Sequence, residues 1–418
     1  MMGARSDGFI PVRKGELAAA LLSDSRLPPG IAGPLENVFS LLRALLRHEA
    51  QAPLDRLHGL YDPLDPDAPP VRRDLSLQAF ERFEGALVTA LQRANFTEVG
   101  AESVQSMQAT AKLTGLSIKP SAAGIRRVRY FSRGVRQEST TFKSWFGLSK
   151  RTLDYPVMSD VVVLVGFKAE NEIQREDLRA FARMRRGVRP GAALIKHFRN
   201  VAAPELVTLH PGARPSMRTR DQVFLAAPAI ATGVPVLLNI WPAVTVLFAV
   251  LAAYFGAQGV IEESELKRAL AAVSGLVAVG AFVMRQRLKY EAQTLRYQKR
   301  LADTVYFRNL ANNSGVIDLL IGAGEEQDSK EAMLAYFTLL CAGRPMAKSE
   351  IDASIESYLR ERFGFAIDFE IGDALEKVAR LGLIVSDEGG AYKSLGPTEA
   401  LAHLDRAWDD LFRFSERR

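Results

Sequence analysis

The side chains best suited to chemistry in this sequence gather between positions 306 and 331. Arg308, Asn309, Asn312 and Asn313 lie in the run Tyr-Phe-Arg-Asn-Leu-Ala-Asn-Asn-Ser-Gly, and Glu325, Glu326, Lys330 and Glu331 follow in Glu-Glu-Gln-Asp-Ser-Lys-Glu-Ala. Carboxylates beside a lysine could exchange a proton, as general acid–base catalysis requires. Amide oxygens with carboxylates could instead hold a hard cation. The same residues also have a structural reading, in which the asparagines cap a helix end and the Glu and Lys side chains pair at one-turn spacing in solvent. No Gly-rich phosphate loop, activated nucleophile or histidine pair accompanies them. His48, His58, His197, His210 and His403 show no ligand spacing and Cys341 is the single cysteine, so neither a metal nor a cofactor is expected.

The elements that must position this run can be read from periodicity. Residues 331–341 form an apolar helix through Met333, Leu334, Tyr336, Phe337 and Leu340, and residues 285–310, free of Gly and Pro, read as one helix. Upstream, residues 17–47 are helix-like, with Leu41, Leu42, Leu45 and Leu46 at one-turn spacing, before Pro63, Pro66, Pro69 and Pro70 break the chain. Residues 76–94 place Phe80, Phe83, Leu87, Leu91 and Ala94 on one helical face. Strands are expected at 126–132, 140–148, 160–167 and 192–198, with a basic helix at 171–186 between the last two. Near the C-terminus, Ser349 with Asp352 looks like a capping box opening a helix to Phe363, and another helix runs from Asp368 to Gly382. Strands at 383–386 and 391–395 then flank the turn Asp387-Glu388-Gly389-Gly390, and a closing helix spans 397–414. That order resembles a winged helix-turn-helix.

Hydropathy adds a further expectation. Residues 222–261 contain no Asp, Glu, Lys, Arg or His, and a second apolar run covers 269–284. Basic residues flank the pair on both outer sides, while Glu262, Glu263 and Glu265 sit in the connection, a pattern that favours two crossings with both termini cytoplasmic. The expected fold is therefore an α+β integral membrane protein with a central two-helix transmembrane hairpin, its spans at about 234–256 and 268–286. Its parts would be an N-terminal helical region with a Pro-rich linker (1–74), an α+β cytoplasmic domain (75–221), the hairpin (222–286), a juxtamembrane helix with the Asn/Glu-rich segment (287–330) and a winged-helix-like domain (331–418). No secretion signal appears in the first residues. Arg214, Arg218, Arg220, Arg285 and Arg287 would face anionic lipid headgroups.

The two runs quoted at the outset, with the segment from about 190 to 340, resemble the transmembrane protein 143-like family, a domain of unknown function. The resemblance implies a two-span membrane protein with its soluble mass on one side, and it supplies no reaction. The expected function is that of a membrane-anchored cytoplasmic scaffold or regulatory protein that binds protein partners, through its C-terminal domain, or anionic lipids. The alternatives are a subunit of a homo-oligomeric channel or transporter, and a membrane-bound enzyme using the 306–331 cluster. Nucleic acid is an unfavoured partner, because the helix that would enter a groove carries Asp368, Glu370, Asp373 and Glu376 against Lys377 and Arg380.

Overall fold

The computed structural model describes residues 8–69, 76–100, 118–120, 123–144, 149–175, 188–215 and 307–412 except 388, with scattered positions elsewhere between 103 and 299. The chain forms two compact units. The first comprises Met1–Ala109, Ala122–Gly212 and Arg308–Arg418, and the second Thr110–Ser121 and Ala213–Phe307.

The first unit opens with helices α1 (Lys14–Leu22), α2 (Ala32–Glu49), α3 (Gln51–Tyr61) and α4 (Leu77–Arg93). The sheet that follows is antiparallel and five-stranded in the order β1 (Thr97–Glu98), β3 (Ile125–Ser144), β4 (Ser149–Phe167), β5 (Ala193–Ala202), β7 (Asn309–Asn312); β2 (Ile118–Pro120) and β6 (Ala213–Pro215) pair with each other in the second unit. Strand β4 is central because Val161, Val162, Val163, Leu164 and Val165 are apolar on both faces, and all five are buried. Helix α4 lies against it, with the Phe80 ring 2.5 Å from where a Cβ on Gly166 would stand, so only glycine fits there. Pairing of β4 with β5 stops at Val157, next to Pro156, which has no N–H to offer; β3 and β4 continue from there as a two-stranded ribbon.

From β7 the chain passes directly into α5 (Ser314–Ala342), and then α6 (Lys348–Phe363), α7 (Ile371–Arg380), the hairpin β8 (Ile384–Ser386) and β9 (Tyr392–Ser394), and α8 (Pro397–Asp409). Helix α5 joins two hydrophobic cores. Val316, Ile317 and Leu320 at its start belong to the core between α3, α4 and the sheet, whereas Ala332 to Leu339 belong to a core shared with α1, α2, α6, α7 and α8. Between these anchors lies the polar run 325–331, and there the helix is covered nearly all round.

Several expectations are corrected. Among the described residues no helix is long and apolar enough to cross a membrane, so the integral-membrane fold class with its transmembrane hairpin, and the multi-pass location with both termini cytoplasmic, do not stand. The second apolar run falls between Arg268 and Arg285, shorter than the roughly 20 residues a crossing helix needs. The first run, 222–261, lies outside the described residues apart from Phe248 and Ala252. The architecture is instead mixed α and β around an antiparallel sheet. The C-terminal helices and hairpin occur in the expected order, yet they share their core with α1 and α2. Residues 309–312 are a strand rather than a helix end, β3 is one continuous strand, and α5 begins well before position 331. No side chain caps α6, whose N-cap is Ala347.

In the second unit, Lys119 is paired with Arg214 across β2 and β6, and the helical positions Glu263 with Lys267 and Arg287 with Glu291 form ion pairs one turn apart.

Candidate functional site

The asparagine part of the 306–331 stretch builds the turn from β7 into α5. Asn313, the residue before the helix, adopts φ +51°, a conformation asparagine tolerates better than most residues. Its N–H donates to the Ile195 carbonyl (2.8 Å) and its Nδ2 to the Asp67 carboxylate. Arg308 donates to the Asn200 carbonyl and the Glu205 carboxylate, fastening β7 to the end of β5. Asn309 pairs with Phe198 and carries a buried Oδ1 that has no partner among the described residues, while Asn312 is exposed. Glu325 lies about 18 Å further along α5 at 1.5 Å per residue. The structure therefore separates the asparagines from the carboxylates and lysine.

One face of the polar run receives the extended N-terminal segment. Gln327 Nε2 donates to the Gly8 carbonyl (2.9 Å), and Lys330 Nζ donates to the carbonyls of Ile10 (2.7 Å) and Val12 (3.2 Å). The Phe9 ring lies under both Lys330 and the Arg133 guanidinium, at 5.5 and 4.4 Å. Lys14 closes the segment: its N–H donates to Glu326 (3.2 Å), and its ammonium donates to both oxygens of Glu325 (2.8 and 2.7 Å), which also accepts from Ser329 Oγ (3.0 Å). Burial pushes the Lys330 ammonium down to about 8. A lysine displaced in that way suits amine catalysis when a ligand can reach it. Here the nitrogen is turned onto two backbone carbonyls and the residue is 3% exposed.

The opposite face meets α7. Lys377 Nζ donates to Asp328 (2.6 Å), Glu331 (3.2 Å) and Asp373, and Arg93 from α4 adds a bond to the other Asp328 oxygen (3.2 Å). The three carboxylates converge closely enough to bind a cation, and the Lys377 ammonium is the cation they hold. Burial and the neighbouring Asp328 push Glu331 up to about 7, although Lys377 opposes the shift. Burial pulls Lys377 the other way, but Glu331 and Asp328 outweigh it and raise its pKa.

A second buried cluster stands on the sheet. Asp160 accepts from Arg133 Nε (3.0 Å) and lies 3.0 Å from His197 Nε2, while Arg133 Nη1 caps the Ala94 carbonyl at the end of α4 (3.0 Å). Burial raises the Asp160 carboxyl, but the His197 hydrogen bond and the Arg133 charge prevail and hold it at about 2. His197 Nδ1 is buried without a partner among the described residues.

Beside the polar run, α2, α3, α4 and α5 enclose a cleft of about 640 Å³, within the range of ligand pockets. Leu57, Ala86, Ala90, Leu320 and Ile321 give it an apolar lining. Charged side chains, among them Arg56, Glu81, Arg93, Glu325 and Asp328, line it as well.

Of the arginines expected at lipid headgroups, Arg214 is in β6, Arg285 and Arg287 are exposed in the second unit, and Arg218 and Arg220 lie outside the described residues. Reading the sequence missed Lys377, Arg93, Lys14 and the cleft, because their partners are far away along the chain. Asp328 carried a usable signal, since it lies one helical turn from both Glu325 and Glu331.

Residues 158–315 match a family model described as a protein of unknown function (DUF3754). The match takes in the second half of β4, with β5, β7 and Asn313, and with them Asp160, His197 and Arg308. It stops short of Glu325 and covers less than half of the chain, so it marks a similarity over that stretch. Nothing in it indicates the transmembrane protein 143-like family. No solved structure matches the chain.

Proposed function

We propose that this protein works by binding, as a scaffold or regulatory protein, and that its ligand occupies the cleft between α2, α3, α4 and α5. The observation that carries the reading is the cleft itself: a space of about 640 Å³ with an apolar lining, two of whose charged lining residues, Glu325 and Asp328, are held in ion pairs. In this reading the polar run of α5 is a support. Its side chains are spent on holding the N-terminal segment and α7, which sets the wall of the cleft in one position. The finer likeness to the transmembrane protein 143-like family adds no activity, and the proposal does not depend on it.

Gly85 offers a clean test, because nothing lies within 4 Å of a Cβ built on it and it lines the cleft from the middle of α4. Gly85→Trp should fill the trench while improving helix propensity. In a thermal-shift screen of small molecules and peptides, compounds that raise the melting temperature of the native chain by about 2 °C or more should leave Gly85→Trp unmoved. Equal stabilisation of both proteins, or conversion of a bound compound to product, would contradict the proposal.

A further inference from the structure

The groove on α5 that receives the N-terminal segment is built to read a peptide backbone. Residues 8–13 belong to no helix or strand, and Ile10 and Val12 are buried while Pro11 and Arg13 between and after them are exposed. Among the described residues no main-chain group of residues 8–12 is bonded to another main-chain group. Instead, carbonyls two residues apart, those of Gly8, Ile10 and Val12, accept from Gln327 and Lys330, which lie one turn apart on the same face of α5. Donors so placed engage what every extended peptide offers. Side chains add selectivity. The Phe9 ring lies 4.4 Å from the Arg133 guanidinium and 5.5 Å from Lys330 Nζ, and Lys14 meets Glu325 and Glu326.

The resident segment leaves part of this groove unused. Asn95 Nδ2 stands 3.0 Å from where a Cβ on Gly8 would be, and the Gln327 amide touches Gly8 through its nitrogen alone. Asn95 Nδ2 and Gln327 Oε1 have no partner among the described residues, although the two residues are only 7% and 0% exposed. A donor and an acceptor left open beside one end of a bound segment are costly, and a ligand that engaged them would be held more firmly. We propose that the groove is a peptide-binding site which residues 8–14 occupy as an internal stand-in. Its partner is a polypeptide segment of the same kind: extended, with an aromatic and two branched apolar side chains followed by a base. Gln327 and Lys330 are not among the residues lining the cleft, so a ligand for one site can exist without a ligand for the other.

The probe is the end-blocked synthetic peptide of residues 8–14, Gly-Phe-Ile-Pro-Val-Arg-Lys, titrated into the full chain by calorimetry. A tethered segment competes at high effective concentration, so the native chain should bind the peptide weakly. Ile10→Asp puts a carboxylate where no solvent reaches and should release the resident segment. That variant should bind the peptide one-to-one, at least tenfold more tightly than the native chain does. Saturating peptide should also restore the protection of Lys330 from an amine-acylating reagent, and adding Lys330→Met should weaken the peptide at least tenfold. If Ile10→Asp does not fold, the milder Phe9→Ala takes its place, with the same outcomes expected. Absence of binding overturns the proposal, as does equal affinity of the native chain and the variant. So does equal binding of a peptide with the same residues in reverse order, a Lys330 that stays labelled under saturating peptide, or a Lys330→Met variant that binds unchanged.

Discussion

Lys330 and Glu331 are neighbours in α5, and the same burial displaces them in opposite directions, to about 8 and about 7. Each shift has a sign in stability. Glu331 is raised, so between pH 4.5 and 7 the folded chain keeps a proton that the unfolded chain has lost, and stability from this group falls as pH rises through that window. Lys330 is lowered, so between pH 8 and 10.5 the unfolded chain keeps the extra proton, and stability from this group rises with pH. At about 1.4 kcal/mol per pKa unit each displacement amounts to about 3 kcal/mol at most. Glu331→Gln should therefore match the native chain near pH 4.5 and exceed it by about 1–3 kcal/mol at pH 7.5 in urea unfolding. A variant whose advantage does not grow over that range would show that Glu331 titrates normally.

At the scale of elements, the decisive contact is α7 on α5. Its only ammonium among the described residues, Lys377, balances Asp328 and Glu331, both buried, as well as the more exposed Asp373. Removing one member of a buried ionic cluster leaves uncompensated charge, so Lys377→Met should cost about 3–5 kcal/mol. Adding Asp328→Asn and Glu331→Gln to that variant should recover at least half of the loss, because the two buried carboxylates are then neutral amides of unchanged size, and the charges that remain, Asp373 and Arg93, are the more exposed ones. Additive costs in denaturant unfolding would mean that the cluster is not coupled. The sequence shows why this contact was hard to foresee. The stripe of Phe80, Phe83, Leu87 and Leu91 on α4 and the Val161–Val165 strand announced themselves through their period, because one face or both faces of each are apolar. The 325–331 run has no such period: it is polar, follows two glycines, and is covered nearly all round, so it reads as an exposed segment. Its helical state is imposed by partners on α1, α4 and α7 that no local pattern names.

For the molecule as a whole, α5 is the shared member of two cores, and the N-terminal segment closes over it from more than three hundred residues away in sequence. Hydropathy alone set the expected crossing at 222–261, a run that lies outside the described residues apart from Phe248 and Ala252, whereas the closure over α5 depends on contacts distant in sequence that hydropathy does not report. That closure also separates two accounts of the 306–331 cluster, one an open catalytic centre and the other a closed support beside a binding cleft. Lys330 distinguishes them, since a lysine with a low pKa is unusually reactive when open and inert when covered. Competitive labelling of the full chain with a trace amine-acylating reagent at pH 9, read lysine by lysine by mass spectrometry, measures this directly. A closed support predicts that Lys330 is among the least labelled lysines until the chain is unfolded; labelling of Lys330 ahead of the exposed lysines would contradict it.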